Sequence, residues 1–406
     1  MFDELILTFT YQFIALHLRT DYFCLKAPLS IKIYSSVTEL PNDWDSLAIE
    51  NIFLSTKYLE ILEKSAPANM IPHFIGLFKE KDLVGIAISQ FLDLNQLTSF
   101  GERDKCIKTA VRNFVFKNFC AHILIIGNNM LTGQNACAFS TKTNSVQILQ
   151  ALTTASEELK FIFKKKGLKV HITTFKDFPN EETPAFHQAG FGNHFQFSTQ
   201  PNMLFDIPNH WTSEQDYIGD LSKKYRDQHK RARKKANGIV KRKMHLEDII
   251  KYEDAIYDLY YHVAKSAHFN TFFLAKNHFR IFKEILKDKF LLYGYFLDEK
   301  LIGFNTIIKN GAVMDTYFLG YDNNVQREKM LYLNMLYDML AYSINKGFKE
   351  IIFARTALEI KSSVGAKPQD MFGFAQHSNP IADLVFEKVF RYLEPEVLWQ
   401  ERNPFK

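Results

Sequence analysis

Apolar and polar positions alternate along the chain in two rhythms, and their succession in the last third carries the most information. Residues 290–297 (FLLYGYFL) and 301–309 (LIGFNTIIK) are apolar runs on either side of Asp298, Glu299 and Lys300, which predicts a hairpin. A third strand is expected over 312–319 (AVMDTYFL). Residues 322–328 are polar; over 329–345, Leu331, Met335, Leu336, Met339, Leu340 and Ile344 recur at helical spacing, and Gly347 is the natural stop. A short apolar strand, 350–354, follows. Thr356 and Glu359 then have the spacing of a capping box, so a helical turn is expected to open at Thr356 and to close at Gly365. This sets Arg355 at a strand's carboxyl end and Lys361 on the helix, a place where open α/β sheets bind ligands and where two cations could clamp an anionic group.

The same succession occurs earlier. Residues 73–79 and 83–91 match the later hairpin, including an L-V-G-I start to the second strand against L-I-G-F. A strand at 122–127, a helix at 145–166, Gly167 and a strand at 168–175 follow, and KKGLK at 165–169 echoes NKGFK at 345–349. Such self-similarity predicts a tandem duplication. Before the first hairpin stand a strand at 31–34, a turn entering a helix at 41–48, and a helix over 55–64 with Ser55 as its cap. Residues 95–119, rich in Lys and Arg and helical in pattern, have no counterpart in the second half and read as an insertion. The first half ends near Pro208, after Phe191, Phe195, Phe197 and a last strand in MLFDIP. The division expected is an extension at 1–30, a first domain at 31–208, a basic linker helix at 209–243 and a second domain at 244–406.

Composition narrows the class. A chain of 406 residues, 47% hydrophobic, is long enough for two cores, and 38 Phe against 3 Trp points to aromatic packing inside. The net charge of +5 is small for a protein that coats nucleic acid along its whole surface. Cys24, Cys106, Cys120 and Cys137 show neither a C-x-x-C pair nor zinc-like spacing, so no metal and no disulfide framework are expected, and a reducing cytoplasm is. The apolar run at 5–18 is too short to span a bilayer and follows Asp3 and Glu4 in place of a basic leader, so no transmembrane segment is expected. No G-x-S-x-G and no Walker motif occurs, which argues against nucleophile-elbow and nucleotide hydrolysis.

Charge is concentrated in one place. Residues 221–243 hold eleven Lys or Arg against the single acid Asp227, which reads as a basic helix over 222–236 stopped at Asn237-Gly238. Three readings stay open: a solvated connector, a phosphate-recognising face made by Arg226, Lys230, Arg231 and Lys234, or a nonspecific nucleic-acid or membrane-surface patch.

Taken together, the basic helix SKKYRDQHKRARKKANG, the G-F-x-x-I hairpin at Gly303, Tyr321-Asp322 after the third strand, Lys346-Gly347 before the next, and R-x5-K-x3-G-A at Arg355, Lys361, Gly365 and Ala366 resemble the FemAB-like tandem N-acyltransferases of the GNAT superfamily over about 31–390. The resemblance implies an α+β fold of two tandem GNAT-like domains, each a mixed, mostly antiparallel sheet flanked by helices. It implies transfer of an acyl or aminoacyl group to an amine of a small metabolite or cell-wall precursor, with acyl-CoA such as acetyl-CoA, or aminoacyl-tRNA, as donor. The family's pyrophosphate loop, Q/R-x-x-G-x-G/A, is not matched: Gly127 and Gly133 at 127–144 lack its spacing, and at 320–331 no glycine follows Gln326 and Arg327.

Amide formation needs a base for the ammonium proton, donors for the acyl oxygen and an acid for the leaving group. Asp315 is an acid on an otherwise apolar strand, and alternation puts it on one face with Val313 and Tyr317. Its readings are catalysis or amine binding, a structural hydrogen bond, or exposure at an edge. Tyr321 is a candidate proton donor or a packing residue. Arg355 and Lys361 bind an anion or pair with Glu359 or another acid, Asn305 contacts substrate or satisfies a bulge, and His268 has no partner legible in the sequence. Tyr317, Arg327 and Gly365 complete the binding candidates. The rival function is a noncatalytic GNAT-derived protein that presents the basic helix to RNA or an anionic surface.

Overall fold

The computed structural model describes residues 29–96, 120–198, 200–266, 270–393 and 399–406. The apolar run at 5–18, nearly all of the basic insertion, Cys24, Cys106 and His268 lie outside the described residues.

In the first half the strands are β1 (Ser30–Tyr34), β2 (Met70–Lys79), β3 (Asp82–Asp93), β4 (His122–Ile126), β5 (Cys137–Phe139), β6 (Ile172–Pro179) and β7 (Phe195–Ser198). Then follow β8 (Asn202–Asp206), β9 (Val240–Met244), β10 (Phe290–Leu297), β11 (Lys300–Asn310), β12 (Val313–Thr316), β13 (Gly320–Tyr321), β14 (Glu350–Ala354), β15 (Lys367–Gln369) and β16 (Met371–His377). Among the described residues these make two 8-stranded sheets. One runs β1-β2-β3-β4-β6-β16-β7 with β5 on β3; the other runs β9-β10-β11-β12-β14-β8-β15 with β13 on β11.

Place by place the two orders are the same, and in each the pair at the fourth and fifth places is parallel (β4 with β6, β12 with β14) while its neighbours are antiparallel. The long hairpins also match in detail, with a register shift after Leu77 in one and after Tyr295 in the other. Asp298 and Glu299 take φ of 49° and 60°, the left-handed pair that a two-residue hairpin turn requires.

The sixth place in each sheet is filled from the other half of the chain. β8 follows β7 but pairs with β14 and β15, and β16 follows β15 but pairs with β6 and β7. A division at 208 therefore leaves β8 on the wrong side, and 244–406 includes a strand of the first sheet. Nor do residues 209–243 form only a linker: the basic helix is Lys223–Lys235, the chain turns at Gly238 (φ +86°), and β9 pairs with β10 as an edge strand.

Each sheet buries one face under a helix whose apolar positions match it. Leu152, Leu159 and Phe163 of the Ser145–Lys165 helix pack on Ile75, Leu77 and Phe91; Met335, Leu336 and Leu340 of the Leu331–Asn345 helix pack on Leu291, Ile307, Met314 and Ile351. A third core belongs to both halves, where Tyr58, Leu59 and Leu62 of the Thr56–Ser65 helix meet Phe279 and Phe282 of the His278–Leu286 helix. At about 1.5–3 kcal/mol for each buried aliphatic or aromatic side chain, this shared core and the exchanged strands bind the halves into one unit. Ser55 is the N-cap of its helix without a side-chain cap bond: its Oγ donates to Ile52 O, and Asp45 takes the Thr56 N–H at 2.7 Å.

Candidate functional site

β14 ends in an unusual turn. Ala354, Thr356 and Ala357 have φ of +57°, +70° and +48°, three non-glycine residues in the left-handed region within four positions, each costing about 1 kcal/mol or more. Lys361 holds the turn: it is 5% exposed, and its Nζ donates to Ala354 O at 3.1 Å and Arg355 O at 2.7 Å. Burial, with the Arg355 charge acting in the same direction, brings the Lys361 ammonium down to about 7. The expected capping box is absent, because a Thr356 in the left-handed region cannot adopt the extended backbone of a capping residue. Ala357 is the N-cap instead, and Glu359 accepts from Arg402. Gly365 bonds back to Ser362 O at 2.9 Å as a helix stop, with φ of +108°.

The acid that Arg355 pairs with is in the other half. Its Nη2 donates to Asp177 Oδ1, 178 residues away, and Lys176 pairs with Asp177 Oδ2. Asp177 is 1% exposed and lies on β6, the counterpart of β14. Burial pushes its carboxyl up, but the two cations outweigh that and hold it below the ordinary value; burial and Arg355 bring Lys176 down to about 8. Arg355 Nε, also buried, has no partner. Sequence reading missed Lys176 and Asp177, although a charged pair in the apolar run ITTFKDF, at a place equivalent to Arg355, was the available signal.

Asp315 lies in the middle of β12, beside Ile352 of the parallel strand β14. Its neighbour Met314 packs into the core under the Leu331–Asn345 helix, so Asp315 faces the opposite way, with its register partner Ile308 in the core shared by the two halves. It is 5% exposed, Asn310 hydrogen-bonds to it, and Oδ2 has no partner. Burial pushes its carboxyl up to about 7, against the Asn310 bond and with the help of the Glu350 charge. Tyr317 has left the strand, and its hydroxyl bonds His278 Nε2 at 3.0 Å within the shared core. Tyr321 packs on Tyr332 beside the core on the far side of the sheet, so the fold does not bring it beside Asp315.

The remaining candidates are dispersed. Asn305 Nδ2 donates to Tyr295 Oη at 3.1 Å, and Tyr295 donates to Asp338 at 2.8 Å. Asp338 is in turn bound by Arg233, which also bonds Glu214 at 2.9 Å. Arg233, not singled out in the sequence, is thus the residue that fastens the basic helix. Arg226 donates to Leu221 O at the helix start, while Lys230 and Arg327 are exposed. The polar loop at 127–136 spends its groups on the fold: Asn128 bonds Tyr58 Oη, Asn129 bonds Thr271, and Asn135 bonds Asn51. At the second loop, Asn334 ties the start of the Leu331–Asn345 helix to Ala232 O of the basic helix. Among the described residues no group of His, Cys, Asp and Glu is placed to hold a metal, and no helix is long and apolar enough to cross a membrane.

No protein-family model matches the sequence, and no curated protein matches it. Among solved structures the chain is similar to the crystal structure of FemX, with 12% identity and a TM-score of 0.53 over 88% of this chain and 99% of that one. It also matches a tandem GNAT protein from the clavulanic acid biosynthesis pathway (11% identity, TM-score 0.49, 86% and 99% covered) and L-PGS from Bacillus licheniformis (11%, 0.44, 83% and 96%). The FemX likeness and the two sheets of one strand order give this chain the FemAB-like tandem GNAT fold, in the α+β class.

Proposed function

We propose that the protein is an N-acyltransferase that moves an acyl or aminoacyl group to the amine of a small acceptor. The observation that carries this is Asp315: a carboxyl buried beside the parallel pair of a GNAT-like sheet, with one oxygen unspent, able to exchange a proton near neutral pH. In the reaction, the acceptor ammonium gives its proton to Asp315 Oδ2. The freed nitrogen pair attacks the acyl carbon, the C–N bond forms, the C–S bond of a thioester or C–O bond of an ester breaks, and the leaving group takes up a proton. Arg355 and Lys361 at the end of β14 are spent within the fold, on Asp177 and on the carbonyls of Ala354 and Arg355, and are given no contact with donor or acceptor in this scheme. Tyr321, on the far face, is given no proton in this scheme.

An acyl-CoA is the donor to test first, and aminoacyl-tRNA second; no step is routed through a pyrophosphate cradle. The test is product formation by mass spectrometry with acetyl-CoA, longer acyl-CoAs and charged tRNA against a panel of amines. Asp315→Asn should lower kcat/KM by about 100-fold or more. An Asp315→Asn protein with the wild-type rate and pH profile would overturn the assignment.

A second reading rests on a different observation. Lys223, Lys224, Lys230, Arg231, Lys234 and Lys235 of the basic helix are exposed, as are Lys241, Arg242 and Lys243 of β9. A noncatalytic protein binding RNA or an anionic surface through these groups would bind salt-sensitively and form no amide product with any donor.

A further inference from the structure

At the edge of the second sheet, β8 outruns its neighbour. β15 begins at Lys367, opposite Leu204, so the outer edge of β8 at Phe205 and Asp206 has no strand beside it. A groove of about 460 Å³ lies along this stretch, between the end of β8 and residues 405–406, and its size is that of a small-molecule site. Its apolar lining is aromatic: Phe205, Trp211 and Phe405 stand with ring centroids 5.8–6.3 Å apart, a spacing at which a further ring can join them. Gly365 lines it too, at a place where a Cβ would stand against the Phe405 and Phe205 rings.

Four charged residues line the same groove, in two couples of an acid and a lysine. Asp220 and Lys406 are joined by a backbone bond from Lys406 N to Asp220 O, and both side chains are engaged by the chain: Asp220 Oδ2 accepts from Trp211 Nε1 at 2.8 Å, and Lys406 Nζ donates to Gly219 O at 2.7 Å. Asp206 and Lys367 differ. Leu204, the register partner of Lys367, stands two residues before Asp206, and Met203 and Phe205 point into the core under the Leu331–Asn345 helix. Asp206 and Lys367 therefore leave the sheet on its other face as diagonal neighbours, about 7–8 Å apart at the backbone. Both are exposed, and among the described residues neither has an ion pair or a side-chain hydrogen bond.

We propose that this groove binds a free α-amino acid with an aromatic side chain. The ammonium sits at Asp206, the carboxylate at Lys367, and the ring lies against Phe205, Trp211 and Phe405. An α-amino acid carries both charges on one carbon, so it addresses an unspent acid and an unspent lysine on adjacent strands together, each through a charge-assisted hydrogen bond. An amine or a carboxylate alone would meet one of the two and leave the other to water. Asp315 lies on β12, two strands away from β8, and this binding is independent of acyl transfer.

Calorimetric titration of the full chain with L-phenylalanine, 2-phenylethylamine, 3-phenylpropanoate and L-alanine tests this. L-Phenylalanine should bind about tenfold or more tightly than each of the other three, which lack the carboxylate, the ammonium and the ring in turn. Lys367→Gln should weaken L-phenylalanine by about tenfold and leave 2-phenylethylamine unchanged; Asp206→Asn should weaken L-phenylalanine alike and leave 3-phenylpropanoate unchanged. Both side chains are exposed, so both variants should melt with the wild type, which separates loss of binding from loss of fold. No binding of L-phenylalanine, or binding no tighter than that of either one-charge analogue, would overturn the assignment. Wild-type affinity for L-phenylalanine in both variants would place the amino acid elsewhere on the chain and overturn this site.

Discussion

Arg355 donates to Asp177, and this one bond ties together two strands, β14 and β6, that hold the same place in their respective sheets. Lys176 on the other oxygen makes Asp177 the anion between two cations at the join of the halves. Removing one partner of a buried ion group leaves the rest uncompensated. Asp177→Ala should therefore lower unfolding stability by about 3–5 kcal/mol at pH 7 in urea titration, and Arg355→Met by less, since Lys176 still pairs with the carboxylate.

Asp315 gives stability a pH dependence of known sign. Its carboxyl is held up at about 7 against an ordinary 3.8. Between those values the folded chain keeps a proton that the unfolded chain has lost, so stability from this group falls as pH rises from about 4 to about 7. Asp315→Asn should match the wild-type melting temperature near pH 4 and exceed it at pH 8, by an amount worth up to about 4 kcal/mol. A lower melting temperature for Asp315→Asn at pH 8 would mean that the carboxylate is satisfied in the fold.

Gly365 is required for two separate reasons. Its φ is +108°, and a Cβ there would come within 2.6 Å of the Phe405 ring and 2.8 Å of Phe205. Gly365→Ala should cost about 1–3 kcal/mol in thermal or urea unfolding. Adding Phe405→Leu should recover the part due to the ring and leave the backbone part.

Within the basic helix, position in the fold and not charge decides the effect of a substitution. Arg233 bridges Glu214 and Asp338, whereas Lys230 is exposed. Arg233→Met should destabilise by about 3 kcal/mol, and Lys230→Met should stay within about 0.5 kcal/mol of wild type in the same unfolding assay.

The exchange of β8 and β16 leaves neither sheet complete without the other half. Scanning calorimetry should show one cooperative transition, and a chain ending before Lys367 should lose protection in both sheets, since β15 and β16 go together. Two resolved transitions would show that the shared core and the exchanged strands do not couple the halves.

Local pattern was enough to place the elements. Asp298-Glu299 between two apolar runs could only turn, the spacing of Leu331, Met335, Leu336 and Leu340 could only bury one helical face, and β14 was legible to the residue as 350–354. These are consequences of a two-residue or 3.6-residue period, written in neighbouring positions, and their recurrence made the duplication readable too. Asp315 stood out because a charge on an apolar strand is conspicuous in one dimension.

What the pattern left open was every choice made between distant residues. β8 carries the same alternation whichever sheet it joins, and only the tertiary packing puts it beside β14 and β15. Thr356 and Glu359 have capping-box spacing, but Thr356 takes left-handed backbone where that box cannot form, in a turn whose carbonyls at Ala354 and Arg355 are bonded by Lys361. Arg355 found Asp177 and Arg233 found Asp338 because packing brought those strands and helices together, across separations that no periodicity spans. The sequence by itself determined the strands, the helices and their repetition, since these follow from local burial. The tertiary structure alone decided the strand exchange, the ion pair between the halves and the burial of Asp315, since each is an electrostatic or packing contact between residues far apart in the chain.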